Sequence, residues 1–178
     1  MTEPEQNAEA IRTALERNER AVALRPSVGR GTARTAVTWR GGLSCEVTEG
    51  PWRFVVGMTE KYGGANDGPN PGVYGRAALG SCVAIGYALW AARMNIPLRA
   101  LEVEVQADYD VSGELGLDEQ VRPGYLAMRY VVTIDSDAPQ DDVLRMLDAA
   151  DQHSAFLDDF SNPVPVQRTV RFAVTSEG

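Results

Sequence analysis

The stretch from Ala77 to Ala92 carries no charged residue, and Arg76 and Arg93 bracket it. At about 1.5 Å per residue such a run falls short of a bilayer's hydrocarbon core of about 30 Å, so it reads as a buried helix of a globular domain. Asn70 is a good N-cap and Pro71 suits the first helical position. Pro97 disfavours a helical Ile96, which places the end near Asn95. Apolar residues occupy almost every face, the pattern of a helix surrounded by protein. Gly75, Gly80 and Gly86 each weaken it by about 1 kcal/mol relative to Ala. Close approach of another backbone, that of a partner helix, is the compensation that fits. One thiol, Cys82, sits near the middle.

The flanking pattern supplies the fold class. Residues 8–24 form an amphipathic helix with Ile11, Leu15 and Val22 at helical spacing, stopped by Arg25-Pro26. "SVGRGT" is a linker. "ARTAVTW", "LSCEVTE" and "WRFVVGM", separated by Gly41-Gly42 and Gly50-Pro51, predict a three-stranded meander. "KYGGANDGPNPG" is the loop into the central helix. "LEVEVQADY" alternates strictly and predicts a half-buried strand. "YLAMRYVVTID" is the next strand, after a long connection. Ser136 or Asp137 can cap a helix beginning about Pro139, with Val143, Leu144 and Leu147 as its buried stripe. "HSAFLDDFS" predicts a short helical segment, and "NPVPVQRTVRFAV" a closing strand. Strands and helices come in blocks, so the expected class is α+β rather than a doubly wound sheet.

With 178 residues, one domain with a real core is expected: residues 1–30 as helix and linker, residues 31–178 as the single domain. A net charge of −8 and a pI near 4.7 leave no basic surplus to displace counterions from phosphates, which argues against nucleic acid and anionic membranes as partners. The acidic N-terminus has no apolar segment of the secretory type, and two cysteines in such a chain point to free thiols in a reducing cytoplasm. A single histidine, His153, argues against a zinc site, and no metal or other cofactor is expected.

Taken from its neighbours alone, Cys82 reads either as a small apolar residue in a core or as a reactive thiol. It lies some three turns into the helix, beyond the reach of the N-terminal dipole, so activation would need a cation brought by the fold. Cys45, in a predicted strand, reads as a packed residue. His153-Ser154 lacks the context of an activated serine, and "GGANDGPNPG" lacks the lysine of a phosphate-binding loop. Asp141-Asp142 and Asp158-Asp159 read as helix-terminal or solvated charges, and Trp39, Trp52 and Trp90 as core or interface aromatics.

"GPNPGVYGRAALGSC", with "LEVEV" and the later "SAFLDDFSNPVPV", resembles the osmotically induced and organic hydroperoxide resistance proteins, the OsmC/Ohr family. The resemblance spans roughly Ala33 to Val174. It implies an OsmC-like α+β fold, an antiparallel sheet wrapped on a long buried central helix, in an intertwined homodimer. It also implies a peroxidase chemistry in which a thiolate on that helix attacks an organic hydroperoxide and a second cysteine forms a disulfide, which a dithiol then reduces. Carried over, Cys82 matches the attacking cysteine. Ser154 occupies the position of the resolving cysteine, and Val73 stands in the stretch where a glutamate is expected. Arg40, with Arg34 as alternative, is the candidate for the arginine, and Tyr74, Leu79 and Tyr87 are expected to line an apolar pocket. A serine cannot form a disulfide, so three readings stay open. Cys82 acts alone and an external thiol reductant resolves it; Cys45 takes over as resolving partner; or the dimer has lost the chemistry and binds a small apolar ligand. A redox sensor using Cys82 and Cys45 is a weaker variant of the second.

Overall fold

The computed structural model describes residues 3–172. Its elements in chain order are α1 (Glu3–Leu24), β1 (Ala36–Gly41), β2 (Ser44–Glu49), β3 (Trp52–Gly57), α2 (Pro71–Met94), β4 (Ala100–Asp108), α3 (Val111–Glu114), β5 (Ala127–Asp135), α4 (Gln140–Asp151) and α5 (Ala155–Ser161). The chain is therefore α+β, with two antiparallel sheets: a β1-β2-β3 meander and a β4-β5 pair.

The central helix forms as its sequence dictates. Asn70 accepts a hydrogen bond from the Val73 amide at 3.1 Å, Pro71 opens the helix, and Asn95 closes it in the left-handed region at φ 55°. Its length and composition alone would suffice to cross a membrane. The ridge Leu79, Val83, Tyr87 and Ala91 is instead buried, packed with Val143, Met146 and Ala150 of α4 and with the inward residues of β4 and β5. Those strands pair in register from Ala100↔Asp135 to Asp108↔Ala127, which puts Leu101, Val103 and Val105 beside Ile134, Val132 and Tyr130 on the face toward α2.

The expectation of a helix covered on all sides is met on one face only within the chain. Val73, Ala77, Ser81 and Ile85, two residues out of step with the buried ridge and hence on the opposite side, are exposed, Ile85 at 61%. Nothing approaches Gly86, where a side chain would find open space.

The meander is one-sided as well. Register places Val37, Trp39, Cys45, Val47, Phe54 and Val56 on one face, and Thr38, Arg40, Glu46, Thr48 and Arg53 on the other. The apolar face lies largely open: Trp39 and Trp52 are each 71% exposed and Val37 62%. Its glycine turns sit where expected, with Gly41, Gly42 and Gly50 all at positive φ. The sheet is held near the start of α2 by the Tyr74 hydroxyl donating to the Val55 carbonyl at 2.9 Å, by the Tyr74 ring on Phe54, and by the Gly57 amide donating to the Pro69 carbonyl.

Four expectations are corrected. The first helix begins at Glu3 rather than residue 8, since acidic residues and Pro4 are all tolerated or favoured in a first turn. In α4 the buried stripe is Val143, Met146 and Ala150, with Leu147 partly buried against the same cluster as expected; Leu144 is 48% exposed, being about 100° round the helix from Val143. Ser136 does not cap α4 but accepts from the Ala138 amide and donates to the Pro97 carbonyl. The closing strand is also absent over residues 162–172, which pair with no strand; residues 173–174 of that expectation lie outside the described residues. Val164, Val166, Val170 and Phe172 alternate as a strand would, but their side chains stay exposed and no edge receives them.

Candidate functional site around Cys82

Cys82 sits one position from Val83 on the buried ridge and one from Ser81 on the open ridge. Its half-buried sulfur therefore lies on the flank of α2, where the covered and uncovered faces meet. Its polar contact is the Ser154 hydroxyl, with Sγ and Oγ 3.7 Å apart. Ser154 is buried and stands at the N-cap of α5, yet its hydroxyl caps no amide of that helix. An N-cap serine ordinarily spends its oxygen there. Here it faces the thiol.

The turn carrying Ser154 is fixed from two sides. One helical turn earlier, Asp151 accepts hydrogen bonds from Tyr87 and Tyr130, each at 2.8 Å, which ties α4 to α2 and to β5. Burial, then the hydrogen bond to Asp151, pushes the Tyr87 hydroxyl far above the usual phenol range; burial likewise raises Tyr130. Next to Ser154, the His153 ring lies against Trp90 at 4.9 Å, and its Nδ1–H donates to the Ala149 carbonyl at 2.8 Å. The Arg93 guanidinium covers Trp90 at 4.6 Å and pairs with Glu19, while Arg12 donates to Asn95, so α1 is docked on the end of α2.

The other sequence candidates are placed differently. Tyr87 is no pocket wall: it is 1% exposed, and its hydroxyl is committed to Asp151. Tyr74 packs on the meander. Leu79 is buried, one turn before Cys82, and forms the floor of a cleft of about 560 Å³ between the start of β5 and α5. Arg40 lies on the polar face of the meander, 3.3 Å from Glu46, and makes no contact with Cys82 within the chain. Arg34 is exposed ahead of β1. Cys45 and Cys82 are both free thiols. Among the described residues no cluster of His, Cys, Asp and Glu is arranged to hold a metal ion.

The Asp151–Tyr130 contact is not among the features expected from the sequence. A signal existed for Tyr130: it shares the inward parity of Met128, Val132 and Ile134, and an inward hydroxyl needs a partner. Nothing local marked Asp151 as that partner.

The model of the OsmC-like protein family matches residues 64–168, and the chain belongs to this family. A comparison with curated proteins finds no match. Among solved structures, an OsmC-like protein from Mycoplasma pneumoniae superposes with a TM-score of 0.65 at 11% identity, over 75% of this chain and 89% of that one. An OsmC-like protein of unknown function from Vibrio cholerae gives 0.55 at 10% identity, over 72% and 93%. An OsmC-like hydroperoxide resistance protein from Jannaschia sp. gives 0.51 at 17% identity, over 79% and 93%. At these identities the likeness is one of fold.

Proposed function

We propose that the chain is a thiol-dependent reductase of organic hydroperoxides in which Cys82 attacks and an external thiol resolves. The observation that carries this reading is the pairing of Cys82 with Ser154, both inside the family-matched segment, at 3.7 Å. The hydroperoxide resistance named for the Jannaschia relative supports the substrate class. In the first step the Cys82 thiolate bonds to one peroxide oxygen as the O–O bond breaks. The alkoxide takes a proton and leaves as the alcohol, and Cys82 becomes a sulfenic acid. A first external thiol displaces water to form a mixed disulfide; a second releases Cys82 and leaves as the external disulfide. The net change is ROOH + 2 R′SH → ROH + H₂O + R′SSR′. Ser154 supplies the hydroxyl donor to the sulfur throughout and forms no bond to it.

The same reading takes the working form as an intertwined homodimer. Two apolar surfaces support it: the open face of the meander and the Val73–Ile85 ridge of α2, each left uncovered by the chain itself. A second copy closing on that ridge would also wall the flank where Cys82 lies, and would bring a cation to it. Arg40 is the first candidate and Arg34, without a carboxylate partner among the described residues, the second. Wild-type protein is expected to be dimeric by light scattering at micromolar concentration and Ile85→Asp monomeric, because a carboxylate in that interface would be buried unpaired. A monomeric wild type would remove the dimer from the proposal.

The test of the chemistry is consumption of cumene hydroperoxide in the presence of a dithiol. Wild type is expected to turn over and Cys82→Ser to fall to the protein-free background. Equal consumption by the two would exclude Cys82 as the reagent and leave the non-catalytic binding protein as the surviving alternative.

A further inference from the structure

The family match begins at residue 64, so α1 lies wholly outside it. The helix is nevertheless seated on α2. Ala92 lies half a turn round α2 from Val83 of the core ridge, yet it too is buried, outside the cluster formed with α4. The element that covers this side is α1, with Ile11 and Leu15 half-buried. Its polar contacts fall at the end of α2: Glu19 pairs with Arg93, and Arg12 donates to Asn95 at 2.7 Å. From there a continuous series of contacts runs to the thiol. The Arg93 guanidinium lies over the Trp90 ring, 4.6 Å from its centre. Trp90, packed against the core, carries the His153 ring at 4.9 Å. The Nδ1–H of His153 donates to the Ala149 carbonyl at 2.8 Å, so the ring cannot leave that plate without losing a hydrogen bond. Backbone bonds from His153 to Ala150 and from Ser154 to Asp151 keep the two residues in one turn. The Ser154 hydroxyl then faces the Cys82 sulfur at 3.7 Å.

We propose that α1 braces the reacting thiol: by holding Arg93 on Trp90 it steadies the plate against which His153 packs, and through His153 it fixes the Ser154 hydroxyl on the Cys82 sulfur. Trp90 and His153 are then positioning residues, acting through Ser154 and not on the sulfur. A hydroxyl that donates to a thiolate favours the charged form, so a firmly held Ser154 makes Cys82 the better nucleophile. Undocking α1 frees the serine turn and lowers that reactivity. The inference rests on the reading of Cys82 as the attacking thiol for its consequence in turnover. The coupling of α1 to the sulfur needs no hydroperoxide. The Glu19–Arg93 pair and the contact of guanidinium with ring are at the surface, where each is weak, so the expected effects are a few-fold.

The decisive measurement is therefore made without turnover. It is the rate at which iodoacetamide alkylates Cys82 in the full-length protein at neutral pH, read by mass spectrometry on the peptide that contains this residue. Trp90→Leu, which removes the aromatic plate, is expected to slow alkylation about three- to fivefold, and Trp90→Phe, which keeps a ring, to stay within about twofold of wild type. Glu19→Arg sets two cations against each other and drives Arg93 off the ring; it is expected to slow alkylation about twofold. In a Ser154→Ala background, Trp90→Leu and Glu19→Arg are both expected to leave the rate unchanged, because the group through which they act is gone. Circular dichroism shows which variants are folded, and if Trp90→Leu is not, Glu19→Arg, a surface change, carries the test. Slowing that persists in the Ser154→Ala background, a folded Trp90→Leu that alkylates as wild type does, or indifference to Glu19→Arg would each overturn the proposal. Consumption of cumene hydroperoxide reports separately: a protein that shows the Ser154-dependent slowing but consumes no peroxide keeps the brace and loses the peroxidase reading.

Discussion

Ser154→Cys is expected to convert the protein to a two-thiol cycle. With one equivalent of organic hydroperoxide and no reductant, the variant loses about 2 Da as two hydrogens leave and a disulfide joins the new thiol to Cys82. The wild type under the same treatment gains oxygen instead. Its sulfenic acid meets a hydroxyl at 3.7 Å, which cannot condense with it to a disulfide, and further peroxide carries it on to the sulfinic acid, about 32 Da above the thiol. The expectation rests on geometry. A disulfide requires sulfurs about 2 Å apart, so the serine-bearing turn must close by less than 2 Å or by a side-chain rotation. That turn leads into α5, a short helix whose other residues are mostly exposed. An intramolecular thiol also acts at an effective concentration of order millimolar or more, which outruns most external thiols. Inactivation by repeated peroxide pulses should slow by about tenfold or more in the variant. Intact-protein mass spectrometry after a single equivalent decides it. A variant that accumulates sulfinic acid as fast as wild type, with no disulfide, would show that Ser154 does not face the sulfur in solution.

What the sequence revealed and what it hid follow from the range of the forces involved. Asn70, Pro71 and Asn95 act on the backbone within a few residues of themselves, and the bounds of α2 are legible for that reason. The glycine turns at Gly41-Gly42 and Gly50 are local too, as is the alternation of β4 from Leu101 to Ala107. The all-round apolar character of α2 was read as burial, but composition cannot say whose atoms do the covering. One ridge is covered by the chain, and the opposite ridge is left for another surface. The closing segment after Ser161 shows the same limit: alternation at Val164, Val166, Val170 and Phe172 marks a strand's side-chain pattern, while a strand itself exists only where an edge accepts it. At the site, the resemblance points to Cys82 and the serine opposite it, but the expectation of Tyr87 as a pocket wall fails, since that ring is buried and its hydroxyl donates to Asp151. An aromatic near a thiol reads as a pocket wall unless a buried acceptor such as Asp151, remote in sequence, claims its hydroxyl.

Asp151→Ala should be the most destabilising single change near the site, at about 2–4 kcal/mol, read as a lowered urea midpoint with an unchanged slope. The carboxylate accepts two phenol hydrogen bonds at 2.8 Å, one from the fully buried Tyr87 of α2 and one from Tyr130 of β5. Hydrogen bonds to a charged acceptor contribute about 1.5–3 kcal/mol each, and removing the acceptor leaves the Tyr87 hydroxyl in a protein interior with no partner. Tyr87→Phe removes one bond and strands no donor, so it should cost less, about 1–2 kcal/mol. In the double variant the cost should fall well short of the sum, because the two residues share one network. The same network sets an alkaline limit. A tyrosine whose folded pKa is raised contributes stability that is complete below the unfolded value of about 10 and is lost progressively above it, since the unfolded phenol then releases its proton while the folded one holds it. Stability of the wild type should therefore decline above about pH 10, and Tyr87→Phe should decline less over the same window. Its consequence for the thiol is separable from stability. If the Asp151 clamp is what holds Ser154 against Cys82, Asp151→Ala should alter the pH profile of Cys82 alkylation at temperatures where the variant is still folded, and should have no such effect in a Ser154→Ala background. An equal effect in both backgrounds would assign Asp151 to the fold alone.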